Sequence, residues 1–253
     1  MKKFEKIFKI VSVIFIIGCF VFYGGRLIYY YNKLKPEKVN GEIVKYIAQT
    51  IKENSGISYQ NEGLYMNGTD YVYKGNVTDN YVSYSDKIWR IVKINQDGSV
   101  KLVLNEDASA EIYSLSSVDY QKSDIYNYLT NAFLGTLVDV ESYVVDMDVC
   151  ADTVSDLTNI SCEQKIEKQK VSLIDVTDFT SSIVNGSTYF NTESAIWMIN
   201  STEDGKVWVA YDNKLTKDST NERYGVRPVI TINGNVKIKN GKGTVEDPYM
   251  LEV

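Results

Sequence analysis

The side chains of this sequence that could do chemistry are carboxylates, hydroxyls and cysteines, because none of its 253 residues is a histidine. The absence of histidine removes Ser-His-Asp and Cys-His catalysis, imidazole general bases and imidazole metal ligands together. The sequence also has no glycine-rich loop of the type that holds phosphate groups. We therefore expect a binding protein rather than an enzyme, with no catalytic residue and no cofactor.

Two cysteines lie in the C-terminal part of the chain, Cys150 and Cys162. In an exported protein such a pair predicts a disulfide, which would add ~2–3 kcal/mol over a loop of about a dozen residues. Two free buried thiols are the alternative. Two thiols supply too few ligands for zinc in a chain without histidine, so we predict no metal site.

An acidic run without any basic residue surrounds the first of these cysteines. The spacing of Asp146, Asp148 and Asp152 partly resembles a calcium-binding loop, but Ala151 stands where an EF-hand requires glycine, and no bidentate glutamate follows. We therefore predict a solvated acidic loop without calcium. The run consists of Asp139, Glu141, Asp146, Asp148, Asp152 and Asp156.

The charge is unevenly distributed along the chain. Residues 1–40 are basic, whereas the remaining residues carry 19 Lys and Arg against 31 Asp and Glu, a net charge of −12. Nucleic-acid binding requires clustered Lys and Arg to neutralise phosphates. The acidic body therefore excludes nucleic acid as an expected partner.

Residues 1–31 have the pattern of a cytoplasmic tip followed by one transmembrane helix. An uncharged apolar run at residues 10–25 lies between Lys9 and Arg26, and three tyrosines follow it. The run is shorter than the ~20 residues that span a bilayer, but snorkelling cations and interfacial tyrosines extend it. We predict membrane contact through residues 7–31, with the N-terminus cytoplasmic and the C-terminal domain extracellular. A cleaved signal peptide, or a lipoprotein signal with Cys19 lipidated, is the alternative.

Residues 32–62 are predicted to form a linker with one short amphipathic helix. Ile43, Ile47 and Ile51 recur at helical spacing within residues 42–53. This helix is either a stalk or the first helix of the domain that follows.

Residues 63–253 are predicted to form an α+β domain of antiparallel hairpins with two short helices. Turn sequences near Gly68, Gly98 and Gly205 separate paired strands. One helix is predicted over residues 123–137 with Ser123 as its N-cap, and another from a Thr177 cap to Gly186. Strands are also predicted at residues 81–84, 171–174, 226–232, 236–239 and 249–251.

Five segments of this domain resemble, in the same order, motifs of one uncharacterised domain family. Its members are Gram-positive surface, membrane-anchored and phage-associated proteins. The resemblance implies a C-type-lectin-like fold, related to that of formylglycine-generating enzyme, and it carries over no catalytic residue. The segments are residues 89–92 (family pattern WRVL), 124–133 (LRxWLNxxF), 170–174 (KVFLLS), 195–201 (WWLRS, without the family's arginine) and 224–232 (YGVRPAL).

Together these features predict a membrane-anchored extracellular module that binds an unknown protein or glycan ligand, or acts as a scaffold. One alternative is a structural subunit that packs in a membrane complex through its transmembrane helix. Another is a surface hydrolase that uses paired carboxylates, as glycosidases do. We assign ligand binding to the long polar connections at residues 138–169 and 212–223, because function concentrates in loops carried by a rigid scaffold.

Overall fold

The computed structural model describes residues 23–26, 28, 37–39, 42–190 and 194–252. The chain divides into two compact units, Met1–Val44 and Lys45–Val253. In the first unit, strand β1 (Lys38–Val39) pairs antiparallel with β2 (Glu42–Ile43). Most of the predicted membrane segment lies outside the described residues. Among the residues described, no helix is both long enough and apolar enough to cross a bilayer.

Helix α1 (Ile47–Ser55) belongs to the second unit and packs into its core. It begins later than the sequence predicted, because Glu42 and Ile43 form a strand instead. Ile47 and Ile51 are completely buried, and the Ile47 amide donates to the Val236 carbonyl. Of the two interpretations of this helix, the structure therefore supports the first helix of the domain and not a stalk.

The second unit is mixed α+β and is dominated by two sheets. The larger has eight strands, and its N-terminal hairpin β3–β4 attaches through pairing of β4 with β6. The remaining strands follow the order β15-β7-β6-β5-β17-β16. The strands are β3 (Gly63–Asn67), β4 (Asp70–Lys74), β5 (Tyr81–Tyr84), β6 (Lys87–Ile94), β7 (Val100–Leu104), β15 (Val229–Ile232), β16 (Ile238–Asn240) and β17 (Tyr249–Leu251).

The second sheet has five strands in the order β13-β12-β11-β14-β8, and a separate hairpin joins β9 to β10. The predicted hairpins at Gly68, Gly98 and Gly205 are confirmed as antiparallel pairs. The strands are β8 (Ser109–Ile112), β9 (Met147–Cys150), β10 (Lys165–Gln169), β11 (Ile196–Ser201), β12 (Val207–Tyr211), β13 (Lys214–Asp218) and β14 (Arg223–Val226).

The helix predicted over residues 123–137 is a succession of three short helical segments. Helix α2 (Asp124–Tyr128) continues into a π-helical turn (Leu129–Phe133) and a 3₁₀ turn (Leu134–Thr136). The predicted N-cap is confirmed, because the Ser123 side chain accepts a hydrogen bond from the Tyr126 amide. A further helix, α3 (Val140–Tyr143), was not predicted.

The other predicted helix is displaced toward the N-terminus. Helix α4 (Val176–Ser181) is capped by Asp175, whose side chain accepts from the Asp178 amide, so the Thr177 cap was wrong. The helix also stops before Gly186, which lies in a turn with positive φ next to Asn185. The strand predicted at residues 171–174 is reduced to one isolated bridge, between Ser172 and Val229.

The strand predicted at residues 226–232 is interrupted at Arg227 and Pro228. Strand β14 lies in the five-stranded sheet and β15 in the eight-stranded sheet. Pro228 has no amide hydrogen and interrupts strand pairing, which suits this crossing point. Strands β7 and β8 cross in the same way, because β15 pairs with β7 and β14 pairs with β8. We call this antiparallel pair of kinked segments the crossing ribbon (residues 100–112 and 223–232).

Candidate functional site

A groove of about 410 Å³ lies beside the kink of the crossing ribbon. Its buried lining is apolar and includes Leu104 and Phe133, whereas the carboxylates of Asp86 and Glu106 are exposed at its edge. We call it the acidic groove. Its lining residues are Asp86, Lys87, Ile88, Leu104, Glu106, Asp107, Ala108, Tyr128, Phe133 and Thr136.

One edge of the acidic groove is the tight turn between β5 and β6. Ser85 and Asp86 both have positive φ, 55° and 54°, as a two-residue type I′ hairpin requires. The Ser85 hydroxyl accepts from the Val138 amide at 2.7 Å, and the Tyr84 hydroxyl donates to the Val138 carbonyl. These bonds fix the position of the turn that carries Asp86 on the rim.

The connection between β7 and β8 forms a second edge and is fixed by backbone hydrogen bonds. The Leu104 amide donates to the Pro228 carbonyl at 2.9 Å, and the Ala108 amide donates to the Val226 carbonyl at 2.8 Å. The connection therefore follows the kink of its partner strand. It carries Glu106 and Asp107 into the groove.

The Asp107 carboxylate is held on both of its oxygens. Arg227 Nε donates to Oδ1 at 2.8 Å, and the Ser194 hydroxyl donates to Oδ2 at 2.7 Å. A Cβ atom at Gly225 would lie 2.2 Å from Oδ2. Gly225 thus leaves room for this carboxylate, and Arg227 binds it.

The helical segments form the opposite wall of the groove. The Phe133 ring packs edge-on against Trp89, with 6.3 Å between ring centroids. Burial, followed by the negative charge of Glu111, raises the pKa of Tyr128 above its ordinary value. A tyrosine hydroxyl is protonated at neutral pH even at its ordinary pKa of about 10, so Tyr128 can donate a hydrogen bond to a ligand.

The carboxylates of the acidic groove do not converge on one point. In the part of the chain that the structure describes, one group of three or more acidic or cysteine side chains could hold a metal ion. That group is Cys150, Asp152 and Cys162. Asp86, Glu106 and Asp107 therefore give the groove negative charge without a chelating centre.

The predicted disulfide is confirmed. Cys150 and Cys162 are bonded, with 5.4 Å between their Cα atoms. The prediction that the acidic run is solvated is wrong for Asp152, which is buried. Asp156 is exposed as expected and caps a local turn through hydrogen bonds to Thr158.

The two connections expected to bind ligand contain regular structure. Residues 138–169 include α3, β9 and β10, and residues 212–223 include β13. The two segments meet at Trp208, whose Nε1 donates to the Val154 carbonyl at 2.8 Å, while Lys217 Nζ lies 4.8 Å from its ring centroid. The structure thus brings these segments together, but as packed hairpins.

The residues of the acidic groove were missed at the sequence level. Asp86, Glu106 and Asp107 lie in turns and loops and form no recognisable motif in the sequence, and Arg227, which binds Asp107, is 120 residues away in the chain. Comparison with protein-family models, with curated proteins and with solved structures found no match to this chain. The chemistry of the groove is therefore argued from its own residues.

Proposed function

We propose that this chain is a membrane-anchored binding module whose α+β domain lies outside the cell and takes its ligand in the acidic groove. The anchor is supported by the uncharged run at residues 10–25 and its flanking cations. Exposure to an oxidising compartment is supported by the Cys150–Cys162 disulfide. The five motif resemblances favour a C-type-lectin-like domain of the kind displayed on Gram-positive surfaces.

The observation that carries the binding role is the pairing of an apolar lining with an acidic rim. The half-buried side chains of Ile88, Ala108 and Tyr128 offer apolar surface. Asp86 and Glu106 are exposed and offer negative charge at the entrance. A lysine or arginine side chain has the complementary form, because its aliphatic stem packs on apolar surface and its charge stays at the rim. A basic segment of a protein partner is therefore favoured over a neutral glycan.

Two carboxylates at the rim are left to recognise a ligand, because the third is neutralised. Arg227 neutralises Asp107 at 2.8 Å, so Asp107 acts mainly as a structural part of the wall. Asp86 and Glu106 form no ion pair among the described residues, and Lys87 is the one cation among the lining residues of the groove. These two carboxylates would make the contacts with the incoming cation.

Peptides of designed composition test this assignment. The full chain in detergent is titrated with a fluorescent peptide that alternates lysine with leucine, and with matched peptides carrying glutamate or serine instead of lysine. We expect binding of the lysine peptide alone, weakened by salt. Asp86→Asn with Glu106→Gln should reduce its affinity about tenfold, which corresponds to ~1.4 kcal/mol.

The matched control for this experiment is Asp156→Asn, which removes an exposed carboxylate outside the groove. It should leave the affinity unchanged. Equal binding of all three peptides, or equal affinity in the groove variant and the control, would show that the groove is not the site.

Protease treatment of intact cells tests the proposed topology. Because the domain is placed outside, added protease should remove the chain beyond about residue 40, the stretch where the charge changes sign. A domain that stays protected would contradict the topology. An intact mass that includes a diacylglycerol on Cys19 as the new N-terminus would replace the transmembrane anchor with a lipid anchor.

A further inference from the structure

The disulfide loop contains a buried carboxylate that is only half satisfied. Asp152 is 7% exposed. Its Oδ1 accepts from the amides of Glu163 and Gln164 at 3.1 and 2.7 Å. Its Oδ2 is buried and has no hydrogen-bond partner among the described residues. A buried carboxylate oxygen without a partner is costly, so a compensating group is expected at this position.

The two cysteine sulfurs are close to this carboxylate. One carboxylate oxygen of Asp152 and the sulfurs of Cys150 and Cys162 all lie within 4.8 Å of one another. Asn200 fixes the backbone beneath them, because its Nδ2 donates to the carbonyls of Cys150 and Asp152 at 3.1 and 3.0 Å. The carboxylate and the two disulfide sulfurs are therefore held close together on a hydrogen-bonded backbone.

We propose that reduction of the disulfide converts Cys150, Cys162 and Asp152 into a binding site for a thiophilic divalent cation of the Zn²⁺ type. Two thiolates and one carboxylate are an accepted ligand set for such ions, and three protein ligands leave the fourth tetrahedral position to water. The cation supplies the partner that Asp152 lacks. Ca²⁺ and Mg²⁺ are excluded because they prefer oxygen ligands throughout.

The bound cation and the disulfide exclude each other. Tetrahedral ligands at about 2.3 Å from zinc place two sulfurs roughly 3.8 Å apart, far beyond a covalent bond. A dithiol reductant transfers two electrons and two protons to the disulfide and becomes a disulfide itself. Each protein thiol then loses its proton as it binds the cation, so that two protons are released per ion.

Cobalt provides a direct spectroscopic test with the full chain in detergent. After reduction by a phosphine and removal of the reagent under argon, Co²⁺ should produce a thiolate-to-cobalt charge-transfer band, and Zn²⁺ should abolish it. The oxidised chain should give no band. If the reduced chain gives no band either, the site does not exist.

Asp152→Asn separates a ligand role from a structural role. The asparagine keeps an oxygen that can accept from the Glu163 and Gln164 amides but removes the anionic ligand. We expect the affinity of the reduced chain for Co²⁺ to fall at least tenfold. The oxidised variant should unfold at the same denaturant concentration as the wild type or a higher one, because an uncompensated buried charge has been removed.

Two further variants complete the test. Cys162→Ser should abolish the charge-transfer band, because one thiolate alone cannot hold the ion tightly. Asp156→Asn is the matched acidic control from the same loop and should bind like the wild type. If the Asp152 variant binds Co²⁺ as tightly as this control, the carboxylate is not a ligand and the proposal is overturned.

Discussion

The Asp107 side chain illustrates how a single carboxylate determines the residue types around it. Arg227 and Ser194 bind its two oxygens, and only a glycine at position 225 leaves room for it. A larger residue at 225 could be accommodated only if the carboxylate rotated away. That rotation would break both hydrogen bonds.

We therefore predict that Gly225→Ala destabilises the domain by about 1–3 kcal/mol, the usual cost of overpacking. Because the clash is with Asp107, the Asp107→Ala change should remove most of the penalty, and the two changes should be far from additive. Urea unfolding of the single and double variants measures the coupling. The control is Gly135→Ala, which should leave stability nearly unchanged because no atom lies within 4 Å of the new Cβ. If the effects of Gly225→Ala and Asp107→Ala on stability were additive, the clash would be contradicted.

A second group of residues that depend on one another is the buried charge cluster that attaches helix α4 to strands β6 and β7. Lys101 contacts Asp175 at 3.2 Å and also contacts Asp178, and Lys93 contacts Asp178 at 2.9 Å. Burial alone would raise the pKa of Asp178, but the two ammonium groups reverse this effect and hold the pKa well below its usual range. Burial, followed by the charge of Asp178, instead raises the pKa of Asp175.

These shifts give a pH dependence with a definite sign. In the unfolded chain Asp178 has an ordinary pKa of about 3.9. Ionised Asp178 therefore stabilises the fold above about pH 4, and this stability is lost as the pH falls through the lower folded value. The raised pKa of Asp175 acts in the opposite sense.

Asp178→Asn should cost about 3–5 kcal/mol at neutral pH, because Lys101 keeps only one buried partner. The variant should also lose less additional stability than the wild type between about pH 4 and about pH 2, since its amide does not titrate. Urea unfolding at a series of pH values measures both effects. Parallel pH profiles for the two proteins would contradict the role assigned to Asp178.

At the scale of elements, local signals determined what the sequence could predict. Hairpins with a glycine in a tight turn, and strands such as β12 and β17, agree with prediction because turn chemistry and alternation act over a few residues. The break between β14 and β15 was not predicted, although Pro228 lacks an amide hydrogen and lies inside the predicted strand. The local sequence does not show that the two halves pair with different strands, β8 and β7, which are distant in the chain.

The difference between local and long-range information also explains which parts of the candidate sites could be predicted. The disulfide could be predicted from the two cysteines, their spacing and the expected export of the domain. The burial of Asp152 could not, because it depends on Asn200 and on the amides of Glu163 and Gln164, which tertiary packing brings near. The acidic groove likewise assembles residues from two turns and a helix.

The β12–β13 hairpin contains a locally unfavourable residue that can be improved. Asp212 and Asn213 form its turn with φ of 47° and 59°, and Asn213 Oδ1 is buried without a hydrogen-bond partner among the described atoms. Asn213→Gly should stabilise the domain by about 1 kcal/mol, because Asp-Gly suits this turn and the unpaired oxygen is removed. Thermal unfolding measures the gain, which should exceed that of Asp212→Gly; a loss of stability would refute it.

At the scale of the whole domain, the crossing ribbon joins the two sheets, because each of its kinked segments passes from one sheet into the other. Its pairing runs from Arg223–Ile112 in the five-stranded sheet to Ile232–Val100 in the eight-stranded sheet. Moving the sheets apart would disrupt the backbone hydrogen bonds that hold the two segments together at the kink. The second unit should therefore unfold as a single cooperative body.

Tryptophan fluorescence can follow each sheet separately. Trp89 lies in β6 of the larger sheet, and Trp197 and Trp208 lie in β11 and β12 of the smaller one. The test uses two variants, Trp89→Phe and the double variant Trp197→Phe, Trp208→Phe. In each variant, the urea midpoint measured by fluorescence should equal the midpoint measured by far-ultraviolet circular dichroism. A fluorescence midpoint that departs from the dichroism midpoint in either variant would show that the sheets unfold independently.

The crossing ribbon also bears on how the domain reaches its fold. Asp107 and Arg227, which meet at its kink, are 120 residues apart in the chain. Pairing over such separations requires the closure of long loops before any contact is gained, and domains rich in distant contacts fold slowly. During synthesis, the buried strand β7 and the following strand β8 leave the ribosome long before their partners β15 and β14 are made. The nascent chain consequently spends a period with unpaired strand edges, when aggregation competes with folding and a holding chaperone is of most use.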